Sequence, residues 1–236
     1  MSDQLPEPPE VAREVFTGDA WSRAEAFAEL LAGPGVVRGL LGPREVPRIW
    51  DRHLLNCAVV AEAVPAEVRL VDIGSGAGLP GLVLAIVRPD ISVTLLEPLL
   101  RRTVFLEEAV ETLKLGNVEV LRGRAEEFAG RREFDVVSAR AVAPLDRLLK
   151  WSLPLLREGG ELLAMKGERA AEELAESETQ LHSSGVRSAE LVSVGHGKVE
   201  PPATLIRVVA GRAPGGERQA SRRKARASRP KRARGE

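Results

Sequence analysis

A single cysteine, Cys57, stands in the whole chain, which excludes an internal disulfide and a cysteine-based zinc site. Histidine is almost as scarce: His182 and His196 show no metal-ligand spacing, so no metal is expected. No apolar run approaches the ~20 residues that a membrane span requires. The start, Met1-Ser-Asp-Gln-Leu-Pro-Glu7, lacks both the basic and the apolar segment of a signal peptide. Together these absences lead us to expect a cytoplasmic protein. Also missing are an Asn-Pro-Pro-Tyr motif, a recognisable catalytic cysteine and a His–Asp pair, so the residues name no general base.

Net charge is missing as well, but the formal zero hides an asymmetry. Residues 212–236 hold ten Lys/Arg against two Glu, leaving 24 basic and 32 acidic side chains in residues 1–211. An acidic body thus carries a basic tail with little to bury, which is expected to be disordered and drawn to polyanions.

What is present centres on Val71-Asp-Ile-Gly-Ser-Gly-Ala-Gly-Leu-Pro-Gly81. The apolar run Val68–Ile73 reads as a strand, the glycines as a loop, and Leu82–Val87 as a helix that Pro80 helps to start. Strand, glycine loop and helix make the first turn of a Rossmann-like unit. Glu97 closes the next apolar run, Ile91–Leu96, where a carboxylate can accept hydrogen bonds from both hydroxyls of a ribose. Gly76-x-Gly78-x-x-Gly81 also fits a dinucleotide fingerprint, so an NAD site is the alternative. Asp72 favours a methyl donor instead: a carboxylate beside the loop suits an ammonium and a sulfonium and repels a pyrophosphate. With no Lys-Ser or Lys-Thr after the glycines, a nucleoside triphosphate loop is not expected. Asp72, Gly74, Gly76, Gly78 and Glu97 are therefore candidate ligands of S-adenosylmethionine.

Order along the chain suggests three parts: an N-terminal helical extension (1–66), a domain expected to be the methyltransferase (67–211) and the basic, disordered tail (212–236). Residues 1–10 read as loose. A helix is expected over 19–32, stopped by Gly33-Pro-Gly35, and a second over 43–63 with Trp50, Leu54, Cys57 and Ala61 as its buried seam. Arg52, His53 and Asn56 would then lie on a free polar arc. Strands are expected at 68–73, 91–96, 117–121, 134–139, 160–166, 188–194 and 204–210. Helices are expected at 79–87, 98–114, 124–129, 143–156 and 168–184, with Leu99, Leu106, Val110 and Leu113 on one face of the 98–114 helix. The result is an α/β fold with a mostly parallel sheet and an antiparallel final hairpin. Its carboxyl edge should collect Gly74–Gly78, Glu97, Glu126, Arg140 and Lys166.

Trp50-Asp-Arg-His53, Val71–Gly81, Leu95-Leu-Glu97, Arg102 with Phe105-Leu106, Arg124-Ala-Glu126, Ser138-Ala-Arg-Ala141 and Lys166-Gly167 together resemble the bacterial 16S rRNA guanine-N7 methyltransferases of the glucose-inhibited division protein B (RsmG) family. The resemblance spans about residues 40–170. It implies a class I, seven-stranded S-adenosylmethionine-dependent methyltransferase acting on a guanine of 16S rRNA, with a cofactor lined by Gly74, Leu79, Ala125, Glu126 and Arg140. Pro98-Leu-Leu-Arg-Arg102 departs from the family, in which a small residue and Lys-Arg are usual, and the basic tail is no part of the family pattern. Arg52, His53, Arg101, Arg102 and Lys166 are candidate contacts to the RNA of the 30S subunit. The protein is expected to be a monomer. Competing readings are a methyltransferase for a protein or small molecule, and a ribosome-assembly protein with a vestigial donor site.

Overall fold

The computed structural model describes residues 5–211. Seven strands form one sheet in the order β3-β2-β1-β4-β5-β7-β6. They are β1 (Arg69–Ile73), β2 (Ser92–Glu97), β3 (Val118–Arg122), β4 (Phe134–Arg140), β5 (Leu156–Lys166), β6 (Val186–Val194) and β7 (Ala203–Ala210). β1 to β5 run parallel, and β7 lies antiparallel between β5 and β6. The chain crosses from β3 over β1 to begin β4, so strand order reverses between β1 and β4, the position where such sheets open a crevice for ligands.

All seven expected strands form, most within a residue or two of their expected ends; β5 begins four residues early, at Leu156. Helices α4 (Gly81–Val87), α5 (Leu100–Leu113), α6 (Ala125–Phe128) and α7 (Leu145–Ser152) occupy the expected crossovers. The expected 168–184 helix is two helices, α8 (Ala170–Glu176) and α9 (Glu178–Ser183), broken at the buried Ser177. Leu99 was expected on the packed face of α5. It stands instead at the residue before the helix and is 45% exposed, while Thr103, Phe105, Leu106, Ala109 and Leu113 face inward.

In α4, the residues from Gly81 to Ile86 are all buried. A helix apolar all round needs cover on both sides. The sheet supplies one side and the N-terminal segment the other, so that α2 (Asp19–Leu30), the 43–63 stretch, α4 and α5 share one continuous core. Trp21 stacks on Trp50 with centroids 5.9 Å apart, and Phe16 meets Trp50 edge-on. Arg88, at the end of α4, donates to the carbonyls of Ala61, Val64 and Pro65. These carbonyls lie at and just past the end of the 43–63 stretch, and the guanidinium ties that end to the sheet domain.

Residues 10–15 form a short helix, α1 (Glu10–Val15), started after Pro9. Three expectations about this layer need correction. Gly33-Pro-Gly35 does not stop the preceding helix; a wide π turn over Leu31–Gly35 makes room for the Pro34 ring, and the chain turns away only at Gly39. The 43–63 stretch is helical throughout but not uniform: tight at Pro43–Arg48, wide at Ile49–Leu55, α-helical in α3 (Asn56–Ala58) and tight again at Val59–Ala63. A wide turn takes more than 3.6 residues, so the buried face drifts around the axis. His53, expected on a free polar arc, is thereby turned inward and is only 7% exposed. The basic tail lies outside the described residues.

Candidate functional site

The loop between β1 and α4 crosses the carboxyl edge at the switch point. Gly74 N–H and Ser75 N–H donate to the Leu96 carbonyl at 2.8 and 3.3 Å, tying the loop to the end of β2. Gly78 has φ +90°, and a side chain there would run into Leu82. At Gly81 a Cβ would sit 2.8 Å from Asp72 Cβ and Oδ2, so only glycine lets α4 begin this close to β1.

Asp72 is 1% exposed. Its Oδ1 accepts from Ser138 Oγ at 2.8 Å and its Oδ2 from Gly81 N–H at 3.2 Å. Burial pushes its carboxyl up to about 6, against the pull of Ser138, Ser75, Gly81 and Arg140. The expectation of a carboxylate facing the ligand is corrected here: the group points inward and braces β1, β4 and the start of α4.

Glu97, also 1% exposed, ends β2. Oε2 accepts from Gly76 N–H and Oε1 from Leu99 N–H, both at 3.0 Å. One carboxylate thus clasps the loop after β1 to the loop after β2. Arg102 Nη1 approaches Oε2 at 3.6 Å, and the buried Arg102 Nε has no hydrogen-bond partner. Leu99, Leu100 and Arg101, which follow the clasp in the chain, are exposed, and Leu79 in the glycine loop is half-buried. Ala125 and Glu126 open α6 after β3, the first buried and the second exposed. Glu127 Oε1 accepts from Arg124 N–H at 3.1 Å and holds that turn.

Arg140 ends β4 beside β1. Its Nη1 donates to Cys57 Sγ at 3.1 Å, and its Nη2 donates to the Arg52 carbonyl and to His53 Nδ1, both at 3.0 Å. An arginine cannot accept, so His53 Nδ1 is the acceptor and the proton sits on Nε2, which donates to Glu45 Oε2 at 2.9 Å. Burial first, then the Arg140 charge, lowers the His53 pKa to about 4, so the ring is neutral. Burial also pushes the Cys57 thiol up, keeping it protonated.

Two candidate RNA contacts are not at the surface. His53 is held in the Glu45–Arg140 chain, and Lys166 is pinned to the Ala143 carbonyl at 2.9 Å and to Glu173 at 2.6 Å. A buried ammonium is stable there because both partners neutralise or accept it. Arg101 and Arg52 are exposed, Arg52 near Glu45 at 3.5 Å; Arg102 is half-buried beside Glu97. Glu45, Ser138 and Cys57 escaped sequence reasoning as site residues. Ser138 stood within reach of it: two residues before Arg140 on one strand, it faces the same side. Glu45 carries no comparable signal.

The residues fit an adenosine-bearing sulfonium. The cradle is glycine backbone with open space above Gly76, where a Cβ would meet nothing closer than 3.7 Å. The nearby carboxylate suits a diol, and Arg140 keeps Nε–H and one Nη1 hydrogen uncommitted among the described residues. Among the described residues no group of histidines, cysteines and acids could hold a metal ion.

The family described as rRNA small subunit methyltransferase G matches residues 21–200. A ribosomal RNA small subunit methyltransferase G of Thermobifida fusca is 60% identical over 201 residues, covering 85% of this chain and 84% of its own. One of Streptomyces coelicolor is 56% identical over 235 residues, with 98% of each chain covered. Among solved structures, an S-adenosylmethionine-dependent O-methyltransferase of Thermotoga maritima superposes with a TM-score of 0.51 at 16% identity, covering 67% of this chain and 65% of its own. A ribosomal protein L11 methylase of Lactobacillus delbrueckii does so with 0.51 at 14%, covering 67% and 77%. At such identities the structures speak for the class I methyltransferase fold alone.

Proposed function

The chain belongs to the rRNA small subunit methyltransferase G family, and from that premise we propose how its site acts. The protein is an S-adenosylmethionine-dependent methyltransferase that methylates N7 of a guanine in 16S rRNA. The observation that carries this reading is the Glu97 clasp beside the glycine loop at the β1–β4 switch point, within a chain that matches the family over residues 21–200.

S-adenosylmethionine supplies an electrophilic methyl group on a sulfonium. Gly74, Gly76, Gly78 and Leu79 would hold the donor against loop backbone, Glu97 would accept from its ribose hydroxyls, and Ala125 and Glu126 would hold its adenine, while Asp72 keeps the loop closed through Gly81 and Ser138. Guanine N7 carries a lone pair and no proton at neutral pH, so no side chain has to remove one. The work left to the protein is alignment and exclusion of water. That matches a site whose one buried histidine is tied up in structure. The purine gains positive charge during transfer, so Arg140 does not belong against N7. Its free hydrogens suit guanine O6, a phosphate or the donor carboxylate. Arg52, Arg101 and Arg102 face the RNA; Lys166 and His53 serve it only through the side chains they hold.

We read the acceptor as 16S rRNA, naked or within the 30S subunit, and the enzyme as a cytoplasmic monomer. No helix among the described residues is long and apolar enough to cross a membrane. Labelled methyl transfer into naked 16S rRNA and into 30S particles, followed by reduction and aniline cleavage, tests the proposal. A single strand break at a guanine is expected; label in an exocyclic amine or a ribose oxygen overturns it.

A further inference from the structure

Among the described residues, Arg140 is the side chain of the carboxyl edge whose contacts reach the N-terminal layer through a second side-chain relay. Both hydrogens of Nη2 are spent there, on the Arg52 carbonyl and on His53 Nδ1. A guanidinium is a rigid plane, so fixing Nη2 and Nη1 fixes the direction of the remaining N–H groups. We propose that His53, oriented by Glu45, is a positioning residue that aims the free edge of Arg140 into the methyl-transfer site. The inference rests on the reading that Arg140 lines that site.

The geometry explains why a histidine is used. One ring atom must accept from a cation while the opposite atom donates to a carboxylate. Neutral imidazole does both, with contacts of 3.0 Å at Nδ1 and 2.9 Å at Nε2. Glu45 selects the tautomer, because only the ring carrying its proton on Nε2 leaves Nδ1 free. The charged and titratable groups facing the ring are Glu45 from the 43–48 turn, Arg52 and Cys57 from its own stretch and Arg140 from β4, with Asp72 of β1 behind Arg140. Two cations against one facing carboxylate oppose a charged ring, and protonation of Nδ1 would eject Arg140 from its seat.

The two ends of the ring can be separated chemically. In His53→Asn the amide oxygen stands near the Nδ1 position and can still accept from Arg140, though it cannot reach Glu45. In His53→Gln the reach toward Glu45 is kept and the acceptor for Arg140 is lost. Single-turnover methyl transfer into 30S particles, donor binding by calorimetry and thermal melting are measured for both, for Arg140→Gln and for His53→Gln/Arg140→Gln. A misaimed group can cost up to about a hundredfold. We expect His53→Gln to slow transfer about tenfold with donor affinity within about twofold, and His53→Asn to stay within about threefold of the parent. The double variant should be no slower than Arg140→Gln alone. Should His53→Gln not fold, Glu45→Ala, at a half-exposed position, is expected to slow transfer several-fold and likewise to add nothing to Arg140→Gln. Between pH 8 and 5 the parent rate profile should run parallel to that of His53→Asn, any shared limb near 6 belonging to Asp72; a limb near 6.5 present in the parent and absent from His53→Asn would mean a freely titrating ring and overturn the proposal. Rates that multiply in the double variant, or an Asn variant as slow as Gln, overturn it as well. If the parent protein methylates no RNA, it is the function proposed above that fails, and non-additive melting of the pair still reports the His53–Arg140 coupling.

Discussion

The two walls of the crevice satisfy their polar groups over very different lengths of chain. On the glycine-loop side, Asp72 reaches Gly81 nine residues on, and Glu97 reaches Leu99 two residues on and Gly76 21 residues back; Ser138, 66 residues from Asp72, is the distant exception. On the opposite side, Arg140 finds Cys57, Arg52 and His53 at separations of 83 to 88 residues. The first wall is a loop closed by its own carboxylates, built almost wholly within the Rossmann-like unit. The second exists only once the N-terminal layer has docked over α4. A local wall should therefore fail by loosening its own backbone. An assembled wall should fail by losing coupling between elements while each element survives.

The largest expected effect lies in the local wall. Asp72→Ala strands Ser138 Oγ and Gly81 N–H in a site 1% exposed. Unpaired buried groups of this kind cost about 2–4 kcal/mol in total, and for a chain of this size that means a fall of about 8 °C in Tm. Asp72→Asn keeps an acceptor for Gly81 and a donor for Ser138, and it removes the cost that holds the carboxyl up at about 6. It should melt within a few degrees of the parent at pH 7. Equal losses in both variants, read by calorimetric melting, would mean that the charge rather than the hydrogen bonds does the bracing.

Glu97→Ala comes next. It removes a charge-assisted contact to the ribose and frees Gly76 and Leu99 N–H, so donor affinity should fall by about 1.5–3 kcal/mol, tenfold or more. Titration calorimetry on the folded variant checks this. An unchanged Kd would leave Glu97 as a loop clasp and nothing else.

The walls also respond to pH with opposite signs. His53 is lowered from 6.5 to about 4, so its stabilising contribution is complete above 6.5 and is lost as pH falls toward 4. Asp72 is raised from 3.8 to about 6, so its contribution is complete below 3.8 and is lost as pH rises through about 6. Each amounts to about 2 kcal/mol between pH 7 and 4.5, and in the parent the two nearly cancel. His53→Gln deletes one arm. Relative to its own stability at pH 7, the variant should therefore gain about 2 kcal/mol over the parent at pH 4.5, measured by urea unfolding at both values. Parallel pH profiles would mean that His53 is not buried neutral.

The same contrast governs what the sequence could reveal. Strand, glycine loop, helix and terminal carboxylate follow each other in order, so the local wall was legible down to Gly78, Gly81 and Glu97. Even there the direction of Asp72 was not, because a carboxylate two residues before a glycine can face either side of the strand end. The second wall was hidden by pitch: an ideal 3.6-residue wheel puts His53 on a free arc, and the wide turn over Ile49–Leu55 rotates it inward. Its partner Arg140 was visible as a residue at a strand end, but nothing in residues 40–60 announces that their carbonyls and Cys57 will be its acceptors. The one available clue was α4, whose apolar residues all round require a second covering layer.

The smallest effect on either wall belongs to residues 212–236, which lie outside the described residues and are argued from charge alone. The body carries 24 basic and 32 acidic side chains, and the tail ten basic and two acidic. An acidic body repels phosphate except at local patches such as Arg52 and Arg101, so ten tethered cations would supply much of the long-range attraction for RNA. Each phosphate neutralised adds roughly −0.7 to −0.9 to the slope of log affinity against log salt. If four tail cations engage, deleting the tail should flatten that slope by about three units and weaken RNA binding most at low salt. Donor affinity and Tm are expected not to move, because the contacts that build both walls lie among the described residues. Filter binding across a salt series, with calorimetry beside it, separates the outcomes. An unchanged slope would assign RNA capture to the exposed arginines of the carboxyl edge, while a change in donor affinity would mean that the tail reaches the crevice and that the site has a third wall.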